Sequence, residues 1–230
     1  MKNSRFIYKL DENGKMQKYI VVKCKYGEYL RPYNPPLVRS EGQINQQNIY
    51  KYLSEQWDTL TKEEINIWLI RSKEPGNVRK CTDSGYIEAR AMFFHLNSNL
   101  IEAGLPIIKT VEILELPQAF TKIDSKIIEE DGRTEITLSF DKAINEQTRV
   151  IVKATPPKKE TVNYVNPDQY KQIAILDSTF VNGGYITKDY FNYFKQLPEL
   201  GEKIKIKLRV IDARFGTMYD YYGFFSCFET

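Results

Sequence analysis

Lys203-Ile204-Lys205-Ile206-Lys207-Leu208-Arg209-Val210 decides how the second half of this chain folds. Apolar and basic residues alternate with a period of two, the repeat of a strand with one face in a core. Ile204, Ile206, Leu208 and Val210 are expected to face that core, and Lys203, Lys205, Lys207 and Arg209 to face water. Arg214-Phe215-Gly216-Thr217 then reads as a turn, and Met218 to Phe228 as an aromatic strand running back. Three earlier strands are expected at Glu135–Phe140, Val150–Ala154 and Gln172–Leu176. Glu129-Glu130-Asp131-Gly132 is a hairpin turn before the first of these; it lacks the alternating oxygen ligands of a calcium loop. Between strands, Thr187–Leu197 has the pattern of a short amphipathic helix, with Tyr190, Phe191 and Phe194 placed to cap one end of the fold. Short strands with turn signals at these intervals predict an antiparallel sandwich over residues 116–230.

Residues 40–115 carry a different period. Ser40-Glu41-Gly42-Gln43 fits a capping box, followed by Ile49, Tyr50, Leu53 and Trp57 at helical spacing. Thr61-Lys62-Glu63-Glu64 is a second capping box, and Ile65, Trp68, Leu69 and Ser72 share the face behind it. A third helix is expected from Asp83 or Ser84 through Ile87, Ala91, Phe94 and Ile101, with Phe93, Asn97 and Leu100 beside that stripe. Gly104 and Pro106 end it as a left-handed cap and a proline stop. Trp57 and Trp68 flank the Leu60-Thr61 turn and are read as packing across a helical hairpin, ahead of a role as an interface hot spot.

Residues 1–39 read as a basic extended arm with short strands. Asp11-Glu12-Asn13-Gly14 is a turn, and Tyr19–Lys23 a short β-branched strand. Pro32, Pro35 and Pro36 exclude helix from the stretch Arg31-Pro32-Tyr33-Asn34-Pro35-Pro36. Residues 1–45 hold nine Lys or Arg against four acids, while residues 118–230 balance at 16 and 16, so the excess positive charge sits in the arm. The fold class expected for the whole is therefore α+β: arm or short hairpin, small three-helix domain, sandwich.

The composition removes several functions. With 230 residues, 42% apolar and 27% charged, the chain can bury a core without disulfides or zinc. No apolar run reaches the length of a membrane span, and the first residues lack the apolar stretch of a secretion signal. Cys24, Cys81 and Cys227 are scattered and odd in number, which favours free thiols over disulfides. His95 is the single histidine, set among Phe93, Phe94 and Leu96 with no partner to fix its tautomer, and a Cys–His pair has no support in the spacing. Metal-ligand spacings and phosphate-cradling glycine loops are absent from the sequence. No catalytic residue, metal or cofactor is expected.

Two patterns invite binding. Lys203, Lys205, Lys207 and Arg209 form a basic face that suits phosphates, or simply keeps an exposed strand from aggregating; the second reading is preferred. Tyr219, Tyr221, Tyr222, Phe224 and Phe225 suit sugar or base stacking, or division between core and interface, again with the second preferred. Arg31, Pro32, Tyr33, Asn34, Pro35 and Pro36 form the candidate assembly segment, because arms without their own core order against a neighbour or a strand edge.

Arg31-Pro32-Tyr33-Asn34-Pro35, Gly42-Gln43, Trp57-Asp58-Thr59-Leu60-Thr61 and Trp68 together resemble a pattern of structural proteins from tailed phages and prophages, of the crAss-like type. Gly85-Tyr86, Leu96-Asn97-Ser98-Asn99-Leu100 and Ala103-Gly104-Leu105-Pro106 continue it. Tyr190 to Phe194 before Gly201 to Ile204 is similar to the immunoglobulin- or fibronectin-like module that follows in such proteins. Where that pattern has Asn-Pro-x-Thr, this chain has Asn34-Pro35-Pro36-Leu37, so no role of the threonine is carried over. The resemblance implies a non-enzymatic virion component, made in the host cytoplasm and present in several copies at the capsid, portal vertex or neck. Its partners would be other virion proteins, with nucleic acid less favoured and no membrane. The alternatives are a nucleic-acid-binding module using the arm and the Lys203–Arg209 face, and a carbohydrate-binding sandwich using Tyr219–Phe225.

Overall fold

The computed structural model describes residues 6–10, 16–24, 27–32, 40–74, 88–111, 115–130, 133–159, 161, 166, 169–199 and 201–229. The chain is α+β and divides into two compact units, Met1–Gln47 and Asn48–Thr230.

In the first unit, strands β1 (Phe6–Leu10), β2 (Met16–Cys24) and β3 (Gly27–Pro32) form an antiparallel sheet in that order. Phe6 pairs with Ile20 and Leu10 with Met16; the expected Asp11–Gly14 turn lies outside the described residues. Tyr19 pairs with Pro32 and Cys24 with Gly27. The segment read as a basic extended arm with short strands carries a three-stranded sheet. β1 and β3, weak strand patterns alone, satisfy backbone groups on the β-branched centre of β2.

Helix α1 (Glu41–Asp58) opens on the expected capping box: Gln43 N donates to Ser40 Oγ at 3.3 Å, and Ser40 N to Gln43 Oε1 at 3.1 Å. Helix α2 (Lys62–Ser72) opens on the second, with Thr61 N donating to Glu64 Oε2 at 2.7 Å. Helix α3 (Ala89–Glu102) begins later than expected; Asp83, Ser84 and Ile87 lie outside the described residues. It ends as a Schellman motif, with Leu105 N donating to Leu100 O and Gly104 N to Ile101 O around Gly104 at φ +71°. Leu53, Leu60, Trp68, Met92, Phe93 and Leu96 form its core with α1 and α2. The two indoles do not stack on each other: Trp57 and Trp68 each meet Phe93 edge-on at 5.3 Å. Trp68 Nε1 also donates to Lys109 O at 2.7 Å, so its polar edge is satisfied inside the core. Leu69, placed on the apolar face by spacing, is exposed instead, and Ala91 and Phe94 are only half-buried because the deepest line of α3 runs through Met92, Phe93, Leu96 and Leu100.

The sandwich joins β4 (Ile123–Glu130), β5 (Arg133–Phe140), β6 (Thr148–Ala154), β8 (Lys171–Leu176), β10 (Glu202–Asp212) and β11 (Met218–Glu229), with the two-residue strands β7 (Lys158–Lys159) and β9 (Gly184–Tyr185) at its margins. The order is β8-β6-β10-β11-β4-β5-β9. Strand β11 belongs to both halves: it pairs antiparallel with β10, then parallel with β4 from Cys227 to Glu229. Ile127, Ile136, Leu138, Val150, Val152, Ile204, Ile206 and Val210 fill the space between. Helix α4 (Thr187–Phe194) covers one end: Tyr190 is fully buried and its hydroxyl donates to Thr155 O at 2.9 Å, while Phe191 turns out to solvent.

The second unit holds α1 from Asn48 onward, α2, α3 and the sandwich. Packing between α3 and the sandwich includes two close approaches. Ala103 at the end of α3 packs on Ile151 and Ile211, which point out of the sandwich core. The β10–β11 turn presses on α3, where Gly216 sits at φ +74° and a Cβ would lie 2.2 Å from Leu96 O. Asn99 Nδ2 donates to Gly216 O at 2.8 Å across this approach.

Candidate interaction surfaces

The basic row of β10 does not face open water as its alternation suggests. Lys203 and Lys205 are only 8% and 5% exposed, and Lys207 and Arg209 are bridged. Arg209 Nη1 lies 2.6 Å from Glu102 Oε2 of α3, and Arg209 Nε 2.9 Å from Asp220 Oδ1 of β11. Lys207 Nζ reaches Asp220 Oδ2 at 2.8 Å, and Lys153 of β6 closes the chain on Glu102. The cause is tertiary: α3 ends above this sheet face and delivers a carboxylate to it.

The electrostatics follow from that geometry. Burial raises the pKa of Glu102, but Lys153 and Arg209 outweigh it and hold the carboxyl below its ordinary value. Asp220 is treated the same way: burial raises it, and Arg209 and Lys207 bring it below the usual range. Burial, with Lys203 and Lys158 close by, pushes the Lys205 ammonium below the ordinary lysine value. These five bridged groups form a tie between helix and sheet.

Of the candidate assembly segment, Arg31 and Pro32 fall at the end of β3, where Arg31 pairs with Ile20; Tyr33, Asn34, Pro35 and Pro36 lie outside the described residues. β3 is an edge strand, and Tyr29 and Leu30 beside Arg31 are 51% and 37% exposed. An edge strand with exposed apolar side chains is a template for strand addition.

The aromatic strand is divided. Tyr221 packs against the sandwich core, and its hydroxyl donates to Phe120 O at 3.2 Å and accepts from Phe120 N at 3.1 Å. It therefore holds the entry to the sandwich rather than offering a flat platform. Tyr219 is half-buried, and the side chains of Tyr222, Phe224 and Phe225 lie outside the described set.

A surface that the spacing did not single out lies between α1 and α3. It is a groove of about 630 Å³ lined by Tyr50, Lys51, Ser54, Arg90, Phe94 and His95, among others. Tyr50 and Phe94 stack with centroids 6.0 Å apart at 20°, Arg90 lies 5.4 Å from the Phe94 ring centre, and Arg90 Nη2 donates to Ser54 Oγ at 2.7 Å. His95 stands exposed at its edge. The available signal was Tyr50 on the outer side of its own helical stripe; Arg90 carries none, since it needs α1 alongside to acquire a context. Among the described residues no group of three or more His, Cys, Asp or Glu is arranged to hold a metal ion, and no helix is long and apolar enough to cross a membrane. The side chains of Cys24, Cys81 and Cys227 lie outside the described set.

Comparison with protein-family models, with curated proteins and with solved structures finds no match to this chain.

Proposed function

We propose that the protein is a non-enzymatic structural component of a phage particle, at the capsid, portal vertex or neck, working in several copies through contacts with other virion proteins. The observation that carries this reading is the edge strand β3 of a separate N-terminal sheet, with Tyr29, Leu30 and Arg31 exposed along it. Strand addition at such an edge provides main-chain hydrogen bonds, and the exposed aromatic and apolar side chains provide buried area. The motif around Trp57, Thr61 and Trp68 supports the phage assignment through the resemblance described above. The pairing of Lys207 and Arg209 with Asp220 and Glu102 weakens the nucleic-acid reading, because the row that would neutralise phosphates is engaged within the fold.

Deleting residues 1–39 retains Ser40, the cap of α1. The truncated chain is expected to fold as a monomer and to be missing from particles whose full-length counterpart is counted by mass spectrometry. Normal incorporation of the truncated chain overturns the role of β3; absence of the full-length chain from purified particles overturns the virion assignment.

A further inference from the structure

We infer that the groove between α1 and α3 is a docking site for an acidic peptide segment of a partner protein, one that carries an apolar or aromatic anchor. Lys51 and Arg90 both stand exposed on its rim, and neither has a carboxylate partner among the described residues. Arg90 uses one guanidinium nitrogen on Ser54, and its fork carries further donors. The stacked pair Tyr50 and Phe94 forms an apolar floor, and Tyr50 is 46% exposed there. With Lys51 and Arg90 against Glu88 alone among the lining residues, the charge complement is an anion. The mixture of cations with a ring pair matches a peptide in which carboxylates flank an apolar side chain, the carboxylates engaging Arg90 and Lys51 and the anchor lying on the rings. The trough is open along two helices with exposed rims, which suits a chain segment better than an enclosed small molecule.

The groove shares no residue with β3, so its test is independent of the assembly reading. Panning a randomised twelve-residue display library on the full-length chain is expected to enrich sequences with Asp or Glu around an aromatic or leucine. Synthetic copies of the enriched peptides, measured by fluorescence anisotropy, should lose about tenfold or more in affinity on the Lys51→Glu/Arg90→Glu variant, and should weaken as salt rises. Tyr50→Ala should weaken them without removing the salt dependence. Both variants alter exposed side chains, and unchanged thermal melting confirms that they remain folded. Enrichment of basic or purely apolar peptides, no enrichment at all, or equal binding to the charge-reversed variant overturns the proposal. If the full-length chain self-associates and Lys51→Glu/Arg90→Glu abolishes that association, the groove belongs to a second copy and the proposal also fails.

Discussion

Two sets of cations sit against the two ends of α3 and have opposite fates. On the sheet side, Arg209, Lys207 and Lys153 are tied to Glu102 and Asp220. On the α1 side, Lys51 and Arg90 face a groove with no carboxylate bridged to them among the described residues. In sequence the first set looks like a solvated charge ladder and the second like scattered surface residues. The difference teaches that a row of like charges states a need for compensation without saying where it comes from. Glu102 is 107 residues from Arg209 and meets it only because the Schellman turn at Gly104 stops α3 above β10.

The largest break in this contrast is expected from Gly216→Ala. The added Cβ meets the backbone of Leu96, and the residue must keep a positive φ, so the turn has to lift off α3. Denaturant unfolding should show a loss of about 3 kcal/mol. Next comes Glu102→Gln, which leaves Lys153 and Arg209 facing a neutral group in a partly dry seam. A loss of about 2 kcal/mol at neutral pH is expected, below the range for fully buried pairs because these side chains keep some water contact.

The same variant tests the pH dependence. Glu102 and Asp220 have folded-state pKa values below their ordinary ones, so in acid the native state binds fewer protons than the unfolded chain. Their stabilisation is complete above the unfolded carboxylate values near about 4 and is lost as pH falls through the depressed native values. Melting temperature should therefore fall more steeply below about pH 5 in the wild type than in Glu102→Gln. A parallel fall in both places the tie elsewhere.

Smaller effects sharpen the comparison. Tyr221→Phe removes both hydrogen bonds to Phe120 and is expected to cost about 1 kcal/mol in chemical unfolding. Lys51→Glu/Arg90→Glu, in the groove against α1, should change stability by less than about 0.5 kcal/mol in the same measurement. If the groove variant destabilises as much as Glu102→Gln, the two sets of cations are alike after all.

Local chemistry was legible wherever a residue's role depends on neighbours within one or two turns. Ser40 with Gln43, Thr61 with Glu64 and Gly104 at the end of α3 act as their spacing says, because capping closes within three to five residues. Alternation in β5 and β10 likewise identified Ile136, Leu138, Ile204 and Ile206 as core. β4 was harder to see, since Ile123-Asp124-Ser125-Lys126 hides its alternation in polar residues and becomes a strand by pairing with β5 and β11. The exposure of Leu69 and the depth of Met92 depend on where α3 crosses its neighbours.

By itself, the sequence determined the three long helices with the caps of α1 and α2, and the apolar faces of β5 and β10, because backbone geometry gives these fixed short periods. Tertiary structure alone decided that the outer face of β10 is covered, that Glu102 and Asp220 compensate its cations, and that Tyr50, Lys51, Arg90 and Phe94 share a groove. Those outcomes depend on contacts between residues tens of positions apart, and a local period carries no information about which distant carboxylate or ring the fold brings alongside.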